Sequence, residues 1–318
     1  MQAWQRFGDF IGRHFAATTP VLVVLAVLFP TVFSPLKALV PAMFAVITFQ
    51  GSLGNDFHTL AESFRRPLPM LIILAVSAVL MPLLAFALGS LLFGGNPNLV
   101  TGIVLEYCVP VAVISTMWIS MHGGDSSLGL ATLLVSTVHA PFTIPLTLRV
   151  LLGATVEVDA LGMMRSMIVQ IAIPALSGTA LNHFGKGWGK NRLSPALSPA
   201  TKVMLILVIL SNTTAAAPYM RNLTPQYVGV IVFIGVFAAL GFVLGMAAAR
   251  ATHQPTDKAA TLVFESGLRN ISAGAVIAAQ YFPGEVMLPV IAGTLFQNVC
   301  AAFAGKLVER MRNVRSEG

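Results

Sequence analysis

Three charged side chains, Glu106, Glu265 and Arg269, stand inside long apolar runs, and His139 is a fourth ionisable group in the same setting. A charge at the centre of a bilayer costs about 2.5–3.5 kcal/mol on insertion scales, so such groups normally face a protein interior or a water-filled path for ions and solutes. Glu265 and Arg269 are four residues apart in Phe264-Glu265-Ser266-Gly267-Leu268-Arg269-Asn270. On a continuous helix they share a face, and pairing lowers the cost of burying each. The chemistry open to this set is cation binding or proton transfer at Glu106, Glu265 or His139. The plainer reading of His139, beside Ser136 and Thr137, is an interhelical hydrogen bonder. Asn212, Thr213 and Thr214 read the same way.

These residues need helices that break near them. Glu106 lies four residues before Pro110, and proline removes a ladder donor and clashes with the preceding turn. Ser115 and Thr116 follow that point, and freed backbone groups at a membrane break must find partners. Gly267 weakens the second run where its polarity is highest.

Composition says what surrounds them. Of 318 residues, 56% are hydrophobic and 10% charged, against roughly 25% charged in a soluble domain. Mean hydropathy is +0.82. A net charge of +7 raises the question of nucleic acid, but the basic residues sit in short segments between apolar runs, the pattern of a membrane protein. Cys108 and Cys300 lie in apolar runs without metal-ligand or disulfide spacing and read as small buried residues.

The sequence thus predicts an all-α polytopic membrane protein of about ten spans, placed at 17–34, 36–53, 68–93, 97–121, 126–152, 161–184, 200–219, 226–249, 258–281 and 285–306. Residues 1–15 read as a mildly amphipathic surface segment without a cleavable signal. With the N-terminus inside, fourteen basic residues, including Arg65, Arg66, Arg250, Lys306 and Arg310, fall on the inner side and four, Lys37, Arg149, Arg165 and Arg221, on the outer. That asymmetry places both termini in the cytoplasm of a bacterial inner membrane. The spans divide into two halves of five, 1–155 and 156–318, in one transmembrane unit. An odd number per half makes them inverted repeats, with the broken spans fourth in each.

The stretch Cys108 to Pro145 resembles the bile acid:sodium symporter family. The matching features are Cys108-Val109-Pro110-Val111-Ala112-Val113-Ile114-Ser115-Thr116, Gly123-Gly124-Asp125, and Val135-Ser136-Thr137 followed by Pro141 and Pro145. The run Glu265-Ser266-Gly267-Leu268-Arg269-Asn270 is similar to that family's E-x-G-x-Q-N signature. The resemblance implies a panel domain and a core domain, with spans four and nine broken and crossing near the midplane. It implies transport of organic anions such as bile acids, keto acids or pantothenate-like acids, usually with sodium. At the first sodium site Ser115 and Glu265 match, Thr116 replaces an asparagine, and Gly129 and Leu133 stand where hydroxyls are usual. At the second site Ser77 and Arg269 stand where glutamines are common, beside Ser266.

Arg269 is the departure with consequences. A guanidinium is permanently charged, and at 4 Å with an effective dielectric of about 20 it repels a sodium ion by about 4 kcal/mol. The sequence therefore predicts that the second sodium site is absent, that the first is weakened, and that Arg269 serves as the counter-charge of Glu265. Asn270, Gln297, Asn298 and the backbone at Val113 are the expected anion contacts, aided by helix N-termini facing the midplane. The reading is a secondary transporter of a small organic anion working by alternating access, with sodium or a proton as coupling ion, no cofactor, and the lipid bilayer as its surroundings. The alternative is an uncoupled channel or sensor, for which no filter-like run is present. An intramembrane enzyme is disfavoured, since the chain has neither H-E-x-x-H nor G-x-S-x-G.

Overall fold

The computed structural model describes residues 2–65 and 67–316, and they are almost entirely helical. Helix α1 covers Gln2–Leu28, and α2 follows at Pro30–Ser52. A short helix α3, Phe57–Arg65, leads to α4, Leu68–Phe93. Next come α5, Pro97–Cys108, and α6, Ser115–Met121, then α7, Ser126–Leu152, α8, Ala160–Phe184, and α9, Gly189–Thr213. The one-turn α10, Ala217–Arg221, precedes α11, Pro225–Ala251. Helices α12, Thr256–Gly267, and α13, Ile271–Tyr281, come before the last long helix, α14, Gly284–Met311. Seven of these, α2, α4, α7, α8, α9, α11 and α14, are long and apolar enough to cross a membrane, which makes the chain a polytopic membrane protein.

Several expected boundaries move. The first break falls at Phe29, just before Pro30, and not near Pro35. Residues 2–15 are helical and run on into α1, and Gly8 in that stretch lies close against Pro199 of α9. Lys202 donates to the Gly8 carbonyl at 2.9 Å, and the Trp4 indole donates to the Ala196 carbonyl at 3.2 Å. Helix α9 begins at Gly189, eleven residues before the expected start at 200, since the glycines at 185–189 turn the chain with Lys186 and Gly187 at positive φ. Arg66, one of the basic residues counted on the inner side, lies outside the described residues, as do the side chains of Arg13, Arg312 and Arg315.

Packing links α1 to α9, α9 to α2 and α2 to α8 in one group, and α4 to α5 and α12, α5 to α14, and α11 to α12 and α14 in another, with α7 packed on α8. Helices α11 and α12 approach closely. A Cβ at Gly241 would lie 2.6 Å from the Ser266 carbonyl, and one at Gly245 would lie 2.6 Å from the Leu262 carbonyl. Small residues four apart let backbones approach closely where apolar burial gives no drive for helix association. At the other end of the core, Asn96 and Asn98 at the start of α5 donate to Glu285 at 2.7 and 3.0 Å, and Tyr227 donates to it at 2.9 Å.

Candidate functional site

The chain leaves helical geometry twice near the ionisable residues, at 109–114 between α5 and α6 and at 268–270 between α12 and α13. The two gaps meet. Val111 and Arg269 form an isolated antiparallel bridge, with the Ala112 amide donating to the Leu268 carbonyl at 3.2 Å and the Asn270 amide donating to the Pro110 carbonyl at 2.8 Å. Pro110 has no amide to continue α5. Gly267 lies under the ring of Phe242, where any Cβ would collide, so α12 ends against α11. Two helix C-termini (α5 and α12) and two N-termini (α6 and α13) converge there, with opposite partial charges at the two kinds of end.

Glu265 is 0% exposed, and its Oε2 has no hydrogen-bond partner among the described residues. The Ser115 hydroxyl, first residue of α6, donates to Oε1 at 3.4 Å. The Thr132 hydroxyl of α7 lies beside the same carboxylate. It also donates to the Leu128 carbonyl at 2.9 Å, which leaves oxygen lone pairs for the site. Oxygen ligands around a carboxylate suit a hard cation. Thr132 was missed in the sequence, where attention fell on Leu133 one residue later. Leu133 is a buried apolar packing residue. Gly129 does sit at the carboxylate, since a Cβ there would lie 3.4 Å from Oε1.

The expected pairing of Arg269 with Glu265 is not what the structure shows. The i, i+4 relation requires a continuous helix, and α12 stops at Gly267. Among the described residues the two ion pairs within 4.0 Å are His122–Glu309 and His183–Asp56. The Arg269 guanidinium turns back to donate to the Ser266 carbonyl at 2.9 Å. Its charged and ionisable neighbours are Tyr107, Glu106 and Cys108 at the end of α5. Arg269 and Glu106 are each 2% exposed. Arg269 Nε and Nη1 and Glu106 Oε2 lack hydrogen-bond partners among the described residues. Glu106 also presses against Gly293 of α14, where a side chain would collide with it. The buried charges thus sort into Glu106 with Arg269 at one place and Glu265 with hydroxyls at another.

The remaining expected residues fall as follows. Ser266 is buried, and its hydroxyl has no partner among the described residues. Thr116 bonds to the Val113 carbonyl at 2.8 Å, and the Val113 side chain is exposed. Asn270 caps α13 by accepting from the Ala273 amide at 3.3 Å. Gln297 accepts from the Arg269 amide at 3.2 Å, which ties α14 to the second gap, while Asn298 Oδ1 is buried without a partner. Ser77 is buried in a widened turn of α4, Ala75–Leu80. His139 is exposed on α7 and bonds to the Val135 carbonyl of its own helix at 2.8 Å. It is neither an interhelical bonder nor a member of the buried cluster. Asn212 is also not the interhelical glue expected. It is 0% exposed, and both polar atoms of its amide lack partners among the described residues. No group of three or more His, Cys, Asp or Glu side chains able to hold a transition metal occurs among the described residues.

A bundle of membrane-length helices with two interrupted helices meeting at buried ionisable groups defines a membrane transport protein of the discontinuous-helix type. Residues 40–223 match the model of the sodium bile acid symporter family, and the chain belongs to that family. It is 37% identical over 292 residues to the uncharacterized protein YbaS of Bacillus subtilis (strain 168), covering 92% of this chain and 95% of that one. It is 22% identical over 303 residues to the uncharacterized sodium-dependent transporter YocS of the same strain, covering 94% and 92%. It is 24% identical over 242 residues to the probable sodium/metabolite cotransporter BASS3, chloroplastic, of Arabidopsis thaliana, covering 74% of this chain and 53% of that one.

Proposed function

We propose that this protein is a secondary transporter of a small organic anion, working by alternating access and coupled to one sodium ion held at Glu265. The observation that carries this reading is the buried Glu265 carboxylate with one free oxygen, flanked by the hydroxyls of Ser115 and Thr132 beside the paired helix gaps. The sequence alone led to the expectation of a weakened first cation site. That expectation rested on Arg269 facing Glu265. With Tyr107, Glu106 and Cys108 as the ionisable neighbours of Arg269, Glu265 has hydroxyls and no cationic side chain beside it, which leaves its place open to a bound cation. The second cation position of the family is closed to an ion, because Arg269 places a fixed positive charge there.

The finer architecture fits the same reading. Seven long helices, the apolar segment Thr18–Leu28 of α1 and the two interrupted pairs α5–α6 and α12–α13 supply ten crossings, five in each half. The halves 1–155 and 156–318 are then inverted repeats, each with its interrupted helix in fourth place, and both termini are cytoplasmic. The α1–α2–α8–α9 group forms a panel that the other helices move against. The anion binds near the N-termini of α6 and α13, with Asn270, Gln297, Asn298 and the amides near Val113 as contacts. The family is named for sodium and bile acid, the Arabidopsis thaliana relative is named a probable sodium/metabolite cotransporter, and a Rattus norvegicus relative is named a sodium-dependent organic anion transporter, which supports an organic anion as the solute.

The test is uptake of a labelled organic-acid panel into proteoliposomes under an imposed sodium gradient and, separately, a proton gradient. Accumulation driven by sodium and lost in Glu265→Gln is the expected result. Accumulation driven only by protons, and lost in Glu106→Gln, would replace sodium by a proton on Glu106. Equilibration without accumulation under either gradient would remove coupling from the reading.

A further inference from the structure

Away from the helix gaps, α11, α12 and α14 enclose a cavity of about 880 Å³. Its walls are apolar, including Phe242 and Met246 of α11, Val263 of α12, and Phe303 and Leu307 of α14. Arg250 at the end of α11 and Arg310 on α14 line it as well. Neither arginine is in an ion pair among the described residues, and the neighbouring acid Glu309 is engaged by His122 at 3.6 Å. Lys306 adds a third cation at this end, its ammonium 5.8 Å from the centre of the Phe303 ring.

The walls also show from which side the cavity is reached. Val243 is 57% exposed and Phe303 63% exposed, and Val236 and Val299, one to two turns further along the same helices, are exposed too. The cavity is continuous with the apolar outer surface, so an occupant enters sideways from lipid. No residue of α1, α2, α8 or α9 contributes to it, so it is distinct from any path between the two packing groups. A site with an apolar trough along three helices and basic side chains at one end is complementary to a molecule with a chain and an anionic head.

We propose that this cavity is a binding site for one anionic phospholipid, with an acyl chain along Phe242, Phe303 and Leu307 and the phosphate on Arg250 and Arg310. The bound chain braces the second helix gap. Phe242 forms part of the wall and is also the ring that lies on Gly267 at the end of α12. A lipid held against Phe242 therefore stabilises the place where α12 stops, two residues from Glu265.

Cys300 makes the site testable in the native sequence, because it lines the cavity and is half-buried, whereas Cys108 is buried. The purified protein is delipidated and reloaded with phosphatidylglycerol or phosphatidylcholine. Retained lipid is read by native mass spectrometry, and Cys300 alkylation by N-ethylmaleimide is followed by intact mass. The expected result is one retained phosphatidylglycerol, several-fold slower alkylation with it than with phosphatidylcholine, and about thirtyfold weaker retention in the double variant R250Q/R310Q. Phe303→Trp, which fills the trough and keeps both arginines, is the second variant and is expected to lose retention as well. R149Q/R165Q, at the other end of the bundle, is expected to behave as wild type. Equal retention of the two lipids, retention unchanged in R250Q/R310Q and Phe303→Trp, or unchanged Cys300 reactivity would overturn the proposal. Protection of Cys300 by the soluble amphiphile cholate and not by the phospholipid would also overturn it, and would assign the cavity to a transported anion.

Discussion

The hydroxyl of Ser115 donates to Oε1 of Glu265 at 3.4 Å, joining residues 150 positions apart in the chain. Ser115 opens the helix after one gap and Glu265 lies near the end of the helix before the other. The contact therefore exists only while the two gaps stay paired through Val111 and Arg269.

If that carboxylate holds the coupling cation, Glu265→Gln removes sodium-dependent accumulation, and Ser115→Ala weakens sodium affinity about tenfold, the scale of one polar contact to a charged group. Sodium titration of uptake by each purified variant checks both. Sodium dependence unchanged in Glu265→Gln would place the cation elsewhere.

Gly129 offers a gain of function. A Cβ there would be 3.4 Å from Glu265 Oε1 and 2.7 Å from Ile119 Cδ1, the far end of a flexible side chain. The double variant Gly129→Ser/Ile119→Val adds a hydroxyl and makes room for it, and is expected to raise sodium affinity about fivefold. The readout is the sodium concentration at half-maximal uptake, and a weaker affinity with intact folding would mean that position 129 does not face the ion.

Glu106 and Arg269 are expected to behave as a coupled pair. Removing either charge leaves the other buried and uncompensated, a loss of about 3 kcal/mol, while the double variant E106Q/R269Q loses less than the sum of the two. Thermal unfolding in detergent gives the three values. Strict additivity would show that the two charges do not sense each other, and an equivalent shortfall between Glu265→Gln and R269Q would restore the pairing suggested by their spacing.

Asn212 separates binding from packing. Its buried amide makes no hydrogen bond among the described residues, so Asn212→Leu is expected to leave stability unchanged or raise it. If the amide instead serves the solute, the same variant lowers transport at least about tenfold. A large drop in melting temperature with unaltered uptake would make Asn212 a structural residue.

The helical class was legible because 10% charge and long apolar runs leave a membrane as the only compatible solvent. That Glu106, Glu265 and Arg269 are buried was legible because a charge in such a run carries a burial cost that demands a reason. Pro110 and Gly267 flagged gaps from local chemistry, a missing amide in one case and a missing Cβ in the other, and the structure has gaps at 109–114 and 268–270. Helix limits were less legible at the ends, where α1 and α9 are extended by contacts between residues almost two hundred positions apart, such as Lys202 with Gly8.

What the sequence determined by itself was therefore which residue types must be buried and where the backbone must break, since both follow from short-range solvation and steric terms. Which groups then face each other was decided by tertiary structure. Spacing assigns Arg269 to Glu265, but once α12 stops at Gly267 the following residues obey the geometry of the paired gap, and the guanidinium goes to the end of α5 beside Glu106. In the same way Thr132, and not Leu133, reaches Glu265, because the rotation of α7 against α12 fixes which side of that helix meets the carboxylate. A helix pattern carries its own period but not its rotation relative to a partner, and that rotation is set only when the helices pack.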